Sequence, residues 1–153
     1  MHGTRAILAG LLATLLGATA GCGDPGGLIS SSIFTQAAQG PGARVRIADV
    51  MPFAFDSMWI FPADASPHAI RDSLGVAADE LPDDRLAARS DSALLVFVRR
   101  SRIVITVPHP ATRGEFHEET LYRGIPADDA VFVVDSASPP GRPLLRRAAV
   151  RPD

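Results

Sequence analysis

Residues 93–107 read ALLVFVRRSRIVITV, and this stretch decides the fold. Its two apolar runs, 93–98 and 103–107, are rich in the β-branched and aromatic residues that favour strands, and only RRSR at 99–102 separates them. A short polar connection between two such runs predicts an antiparallel hairpin. Because this connection contains neither Gly nor Asn, the sequence leaves the type of turn open.

Three further segments have the composition of strands. Residues 43–50 alternate between apolar and polar side chains, 57–61 form a short apolar run that Pro62 ends, and 130–135 are mostly apolar. Residues 115–122 fit a strand or a loop. Strands joined by short connections, without long helices between them, favour an antiparallel sheet.

Helix signals occur before and after the first strands. Ser66 is a suitable N-cap, Pro67 occupies the first helical position and Gly75 ends the segment, so a helix is predicted between them. A short amphipathic helix is predicted over 28–39, and one helical turn near 83–88. The sequence therefore predicts an α+β fold, an antiparallel sheet of about four to five strands with one or two helices packed on one face.

The N-terminal residues have the features of a lipoprotein signal peptide. Arg5 precedes an apolar run over 6–18 that is too short for a comfortable membrane span. Ala20-Gly21-Cys22 then resembles the lipobox of bacterial lipoproteins, although Thr19 stands where these proteins usually carry Leu. In that family the cysteine is acylated, with chains such as palmitate, and becomes the first residue of the mature protein.

An alternative cleavage site overlaps the lipobox. Residues 18–20 form an A-x-A site, and its use would release a secreted soluble protein. The chain has a single cysteine, Cys22. One unpaired cysteine is unusual in a secreted protein, whereas a lipoprotein requires it at this position, so lipidation of Cys22 is the preferred interpretation.

Two internal stretches strengthen this expectation. FDSMWIFP at 55–62 precedes the helix capped by Ser66, and LLVFV at 94–98 precedes the turn, the second strand and RGEF at 113–116. Over 45–116 their order and spacing resemble a group of small uncharacterised bacterial lipoproteins. The resemblance implies a membrane-anchored envelope protein and carries over no catalytic or binding residue.

The expected organisation has four parts. Residues 1–21 form the signal peptide, 22–29 a short tether, 30–136 a single α+β domain, and 137–153 a disordered tail rich in Pro and Arg. The protein is accordingly expected to be anchored by its N-terminal lipid on the extracytoplasmic, periplasmic face of a bacterial membrane.

Composition excludes several kinds of chemistry. All 15 basic residues are Arg, and the chain contains neither Lys nor Asn. This excludes a P-loop lysine, Schiff-base catalysis and N-glycosylation. The single Cys cannot form an intramolecular disulfide or a zinc-finger cage. A formal net charge of -2 gives no reason to expect nucleic-acid binding, and no cofactor is expected.

Two histidines are weak candidates for a metal site. His109 and His117, together with Glu118 and Glu119, are residue types that bind zinc. Their spacing matches no known zinc motif, and proline flanks His109 on both sides, as at a surface bend. A solvated surface is the preferred interpretation, so no metal site is predicted.

Two other features have a chemical and a structural interpretation. Asp56 lies among aromatic residues, where a buried carboxyl group could act as an acid or base, but it more simply bonds a turn amide. Arg99, Arg100 and Arg102 at the hairpin tip could grip a phosphate or carboxylate of a partner, or could protect a sheet edge and keep the protein soluble. The structural interpretation is preferred in both cases.

These observations favour a lipid-anchored cell-envelope protein that binds a protein or cell-wall partner through its sheet or hairpin, and they favour no enzymatic activity. The first alternative is a periplasmic lipoprotein that binds a small ligand or a metal through residues 109–119. The second and less favoured alternative is an envelope hydrolase that uses Asp56.

Overall fold

The computed structural model describes residues 23–75, 82–87 and 89–149. The predicted signal peptide and Cys22 lie outside these residues. Helices in the described part are α1 (Pro25–Ala37), α2 (Ile47–Val50), α3 (Pro67–Leu74) and α4 (Asp83–Leu86). Strands there are β1 (Arg44–Arg46), β2 (Ser57–Phe61), β3 (Ser92–Arg99), β4 (Arg102–Pro110), β5 (Glu115–Phe116), β6 (Ile125–Pro126), β7 (Val131–Val134) and β8 (Leu144–Arg147).

These strands form two four-stranded sheets, which we call sheet 1 (β1-β7-β8-β5) and sheet 2 (β4-β3-β2-β6). Neighbouring strands are antiparallel except β5 and β8, which are parallel. The α+β class is confirmed. The expectation of one sheet is wrong, because the short strands β1, β5, β7 and β8 pair with one another and not with the central hairpin.

The two sheets share one hydrophobic core, to which α1 also contributes. Removing this apolar surface from water is the main force that holds the three parts together. The fully or almost fully buried side chains in this core include Ile29 and Ile33 of α1, Val45, Phe132 and Leu145 of sheet 1, and Met58, Ile60, Leu95 and Phe97 of sheet 2.

The strand β3 is buried on both of its faces. Leu95 points to the shared core, whereas Leu94 and Val96 point to a second core that includes Ile70 of α3 and Leu86 of α4. Successive side chains of a strand point to opposite faces, so a strand covered on both sides needs apolar residues at every position. This explains the uninterrupted apolar run in β3.

Several local predictions are confirmed. The strand β2 has the predicted limits, and α3 lies between its predicted cap and stop signals, with the Ala69 amide donating to Ser66 Oγ at 3.2 Å. One prediction is too long, because the strand expected over 43–50 ends at Arg46, where α2 follows.

The helix α1 begins earlier than predicted and replaces most of the expected tether. Asp24 caps it, since its carboxylate accepts hydrogen bonds from the backbone amides of Gly26 and Gly27 at 3.1 and 3.0 Å. The tether predicted over 22–29 is therefore wrong from Pro25 onward, and only two residues separate the helix from the predicted lipid attachment point.

The predicted disordered tail over 137–153 contains an ordered strand. β8 lies between β7 and β5, and its Leu145 is fully buried. The Asp135 carboxylate accepts from the Ala137 amide at 2.8 Å and pairs with Arg146 at 2.7 Å. The hydrogen bond from the Ala137 amide lowers the pKa of the Asp135 carboxyl the most, and the positive charge of Arg146 lowers it further. The prediction of disorder is wrong for β8 and the loop before it.

No helix in the described ranges is long and apolar enough to cross a membrane.

Candidate functional site

A cleft of about 580 Å³ opens at the end of sheet 2 where β3 begins and β4 ends. Binding sites for small ligands typically have volumes of about 300–1,000 Å³, so the cleft is large enough to receive a side chain or a small molecule. The 3-10 turn Ala111–Arg113, the strand β5 and the chain near Leu121 complete its walls. The cleft thus lies at the opposite end of the hairpin from the RRSR turn.

The lining combines apolar surface with an excess of carboxylates. Phe116 is buried beneath the cleft, whereas Asp91, Glu115 and Glu118 are exposed at its mouth. Arg142 also lines the cleft, and its Nη2 lies 3.3 Å from Glu115 Oε2. One guanidinium therefore offsets one carboxylate, and the other two have no basic partner among the lining residues. The arrangement suits a ligand with an apolar group next to a cation.

A buried histidine lies behind the cleft wall. The Ser30 hydroxyl of α1 and His109 Nδ1 of β4 share a hydrogen bond of 2.9 Å, and both side chains are fully buried. The ring also contacts Phe116, with 5.5 Å between ring centroids. Because neither side chain is accessible to a substrate, the pair fastens α1 to β4 and forms no catalytic dyad in this conformation.

The burial of His109 corrects the prediction of a surface bend. β4 is an edge strand, and an edge strand tolerates proline because its outward backbone positions need no hydrogen-bonded N–H. β4 therefore continues through Pro108 to Pro110, and His109 points inward on the same face as Val107. The two prolines indicated an edge strand rather than a bend.

The histidine ring is uncharged at neutral pH. Burial lowers the pKa of His109 to about 4, and the positive charge of Arg113 acts in the same direction. The backbone of Gly114 partly opposes this shift. No described residue gives Nε2 a hydrogen bond of good geometry. An imidazole in this position contributes most to stability when it is neutral.

The two histidines that were candidates for metal binding have different surroundings and different hydrogen-bond partners. His117 is half-buried, and its Nδ1 accepts from the Glu119 amide at 3.5 Å, while His109 bonds to Ser30. Among residues 23–75, 82–87 and 89–149, no three histidine, cysteine or carboxylate side chains are grouped so that they could hold a metal ion. The geometry gives no support to a metal-binding function.

Asp56 has the predicted structural role, because it bonds a turn amide. Its Oδ2 accepts a hydrogen bond from the Arg100 amide at 2.6 Å, so it fastens the loop before β2 to the β3–β4 turn. Its carboxylate is exposed.

The arginines Arg99, Arg100 and Arg102 lie together at the hairpin tip, as predicted, and all three are exposed. In the turn, Arg100 and Ser101 have φ values of 50° and 60°. Two central residues with positive φ are typical of a type I′ turn, whose twist matches that of the flanking strands. The turn therefore joins β3 and β4 directly, with the three arginines at the end of sheet 2.

Sequence reasoning missed the cleft, although one signal pointed to it. The hairpin register pairs Ser92 with Pro110, and the Ala111 amide donates to the Asp91 carbonyl at 3.1 Å. The predicted hairpin alone therefore places Asp91 beside the residues that follow β4. No pattern in the sequence indicates that Arg142 closes the same cleft, because that contact depends on how sheet 1 folds.

Comparison of this chain with models of known protein families, with curated proteins and with solved structures finds no significant match.

Proposed function

We propose that the protein is a lipid-anchored cell-envelope protein whose domain binds a partner in the cleft at the end of sheet 2. The observation that carries this proposal is the cleft's apolar surface beside two carboxylates, Asp91 and Glu118, that form no ion pair within the described part of the chain. Apolar surface with a few polar groups is the usual composition of a binding site. The β3–β4 hairpin holds this site at the end of a rigid strand pair.

The position of α1 determines how close to the membrane an acylated Cys22 would hold the domain. Gly23 and Asp24 are the only residues between Cys22 and the helix. Two residues span at most about 7 Å, so an acylated Cys22 would hold the folded domain directly at the membrane surface. The proposed location is the periplasmic face of a bacterial membrane.

The chemistry of the cleft favours a basic partner. A suitable partner is a segment of another envelope protein in which Lys or Arg lies beside an apolar residue. Its cation would lie near Glu118, and the apolar side chain would lie over Phe116. Partly desolvated charge pairs contribute specificity, and apolar burial contributes affinity. A protein partner therefore fits better than an anionic cell-wall fragment.

The anchor is tested by the intact mass of the protein purified from the membranes of the cells that make it. Two or three acyl chains on a chain that starts at Cys22 are expected, and Cys22→Ser should abolish them. A free thiol on a soluble chain that starts at Gly21 would reject the anchor and show that the A-x-A site is used.

The cleft is tested by a photo-crosslinking residue placed at Thr112, inside the cleft, in the full-length protein in its own membranes. His68 on α3, which is exposed and does not line the cleft, is the control position. A crosslinked protein specific to position 112 is expected. Glu118→Arg should weaken this crosslink, whereas Glu119→Arg, the same charge change outside the cleft lining, should leave it unchanged.

Equal crosslinking at positions 112 and 68 would reject a specific site in the cleft. Equal loss of the crosslink in the two arginine variants would show that overall charge, rather than the cleft, governs the encounter.

A further inference from the structure

The helix α1 and the strand β4 run side by side in the same chain direction. A Cβ atom on Gly26 would lie 3.8 Å from Val107 Cα, and Ser30 Oγ is 2.9 Å from His109 Nδ1. Four helical residues advance about 6 Å and two strand residues about 6.6 Å, so the two contacts match parallel elements. The N-terminal end of α1 therefore faces the side of the β3–β4 turn, and its C-terminal end faces the side of the cleft.

The turn extends further in this direction than the residues before α1 can reach. From Val107 to Arg102 the strand β4 covers about 17 Å. The four Cα–Cα steps from Cys22 to Gly26 span at most about 14 Å even when fully extended. If Cys22 carries lipid, as in the function proposed above, an upright α1 brings the RRSR turn into the headgroup layer.

The charge of the turn suits an anionic surface. Arg99, Arg100 and Arg102 are exposed, and the Asp56 carboxylate contacts this turn at the Arg100 amide. Arg99 and Arg100 form no ion pair within the described part of the chain. Positively charged residues close to a membrane are attracted to anionic lipids, and the attraction acts within about one Debye length.

One exposed apolar side chain lies near the same end. Val104, in the half of β4 nearest the turn, is 43% exposed. Apolar side chains beside basic residues are typical of surfaces that rest on a bilayer.

We propose that the hairpin tip, through Arg99 and Arg100, docks on anionic lipid headgroups and fixes the anchored domain upright, with the cleft facing away from the membrane. This inference rests on the proposed lipid anchor. Arg102 lies in the same patch but has another interaction within the protein, so the test does not depend on it.

The test uses the acylated full-length protein in lipid vesicles. In the acylated protein the sulfur of Cys22, the only natural cysteine, is blocked, so Ser101→Cys or Thr112→Cys supplies a unique thiol for a spin label. Collisions of each label with a neutral nickel chelate in the water are measured in vesicles with anionic phosphatidylglycerol and in vesicles of phosphatidylcholine alone.

The label at 101 should be severalfold less accessible to the chelate in the anionic vesicles than in the neutral ones, and high salt should remove this protection. The label at 112 should be accessible in both. Arg99→Gln with Arg100→Gln should lower the equilibrium constant for docking about 25-fold, since each basic residue contributes about fivefold. Both side chains are exposed, so this variant should keep its fold.

The outcomes separate the two proposals. A protein without acyl chains rejects the anchor. An acylated protein whose label at 101 is equally accessible in both kinds of vesicle rejects the docking and leaves the anchor intact. Protection of the label at 112 would mean that the cleft faces the membrane, which also overturns the inference.

Discussion

The contact between Ser30 and His109 links the first helix to an edge strand through one buried hydrogen bond. A buried imidazole avoids the large penalty of a buried charge only if it stays neutral. The unfolded chain takes up a proton near the usual histidine pKa of 6.5, whereas the folded protein does so only at about 4. Acid between these two values therefore favours the unfolded chain.

The free energy of unfolding should fall as the pH is lowered from 6.5 towards 4, by as much as about 3 kcal/mol from this group, and the contribution should be fully present above pH 6.5. Urea unfolding at a series of pH values measures it. His109→Gln should be less stable than the natural protein at pH 7, and this difference should shrink in acid. His68→Gln is the matched control, since His68 is exposed. Parallel pH curves for the natural protein and His109→Gln would contradict this explanation.

Gly124 is a second residue whose neighbour determines its identity. A Cβ atom there would lie 2.8 Å from Cζ2 of the Trp59 ring, closer than non-bonded carbon atoms approach. Gly124→Ala should therefore lower the free energy of unfolding by about 1–3 kcal/mol through overpacking. Urea unfolding of Gly124→Ala, Trp59→Leu and the double variant measures the coupling. The double variant should lose less than the sum of the two single losses, and simple additivity would show that Trp59 is not the cause.

At the scale of the elements, the β3–β4 hairpin shows how an exposed edge is managed. The register shifts between Phe97, which pairs with Ile105, and Val98, which pairs with Ile103, so Val104 has no partner on β3. Such a bulge, together with arginines at the tip, discourages another strand from pairing with the edge. Edge protection and contact with lipid headgroups are compatible roles for the same arginines.

The turn itself contains avoidable strain. Ser101 has a φ of 60°, which glycine adopts freely and other residues adopt at a cost. Ser101→Gly should raise the free energy of unfolding by about 0.5–1 kcal/mol, because the strain removed exceeds the entropy that glycine adds to the unfolded chain. Thermal unfolding measures the change. Ser90→Gly, at a loop position without positive φ, should not stabilise the protein. If both variants shift stability equally, backbone strain at Ser101 is not the cause.

At the scale of the whole molecule, sheet 1 is assembled from short strands that are far apart in sequence. β1 pairs with β7, and β8 lies between β7 and β5. None of these strands exceeds four residues, and an isolated pair of such length is not stable in water. The sheet therefore depends on the shared core and on the presence of β8.

A chain that ends at Pro143 should lose at least about 3 kcal/mol of stability, because it loses the buried Leu145 and the hydrogen bonds that β8 makes to two neighbours. Urea unfolding and resistance to a protease measure the loss. A chain that ends at Ala149 retains β8 and is the control. If the shorter chain were as stable as the control, β8 would not contribute to stability, and residues 144–149 would behave as the disordered tail that the sequence predicts.

The sequence by itself determined the elements whose signals lie within a few residues of one another. The apolar runs around RRSR predict the hairpin, Ser66 and Gly75 delimit α3, and together they indicate the α+β class. Caps, turns and strand periodicity are set by neighbours along the chain, so they can be recognised without a structure. The expectation for Cys22 has the same local origin and stays a prediction.

Only the tertiary structure decided the division into two sheets, the order in β8, the burial of His109 and the existence of the cleft. Each depends on contacts between residues that are distant in sequence, such as Ser30 with His109 at 79 residues and Arg142 with Glu115 at 27 residues. A short polar or proline-containing segment has little conformational preference of its own, so its structure depends on the part of the protein against which it packs. Within the proline-rich segment, Leu144–Arg147 forms the strand β8 because sheet 1 provides a position between two strands, β7 and β5.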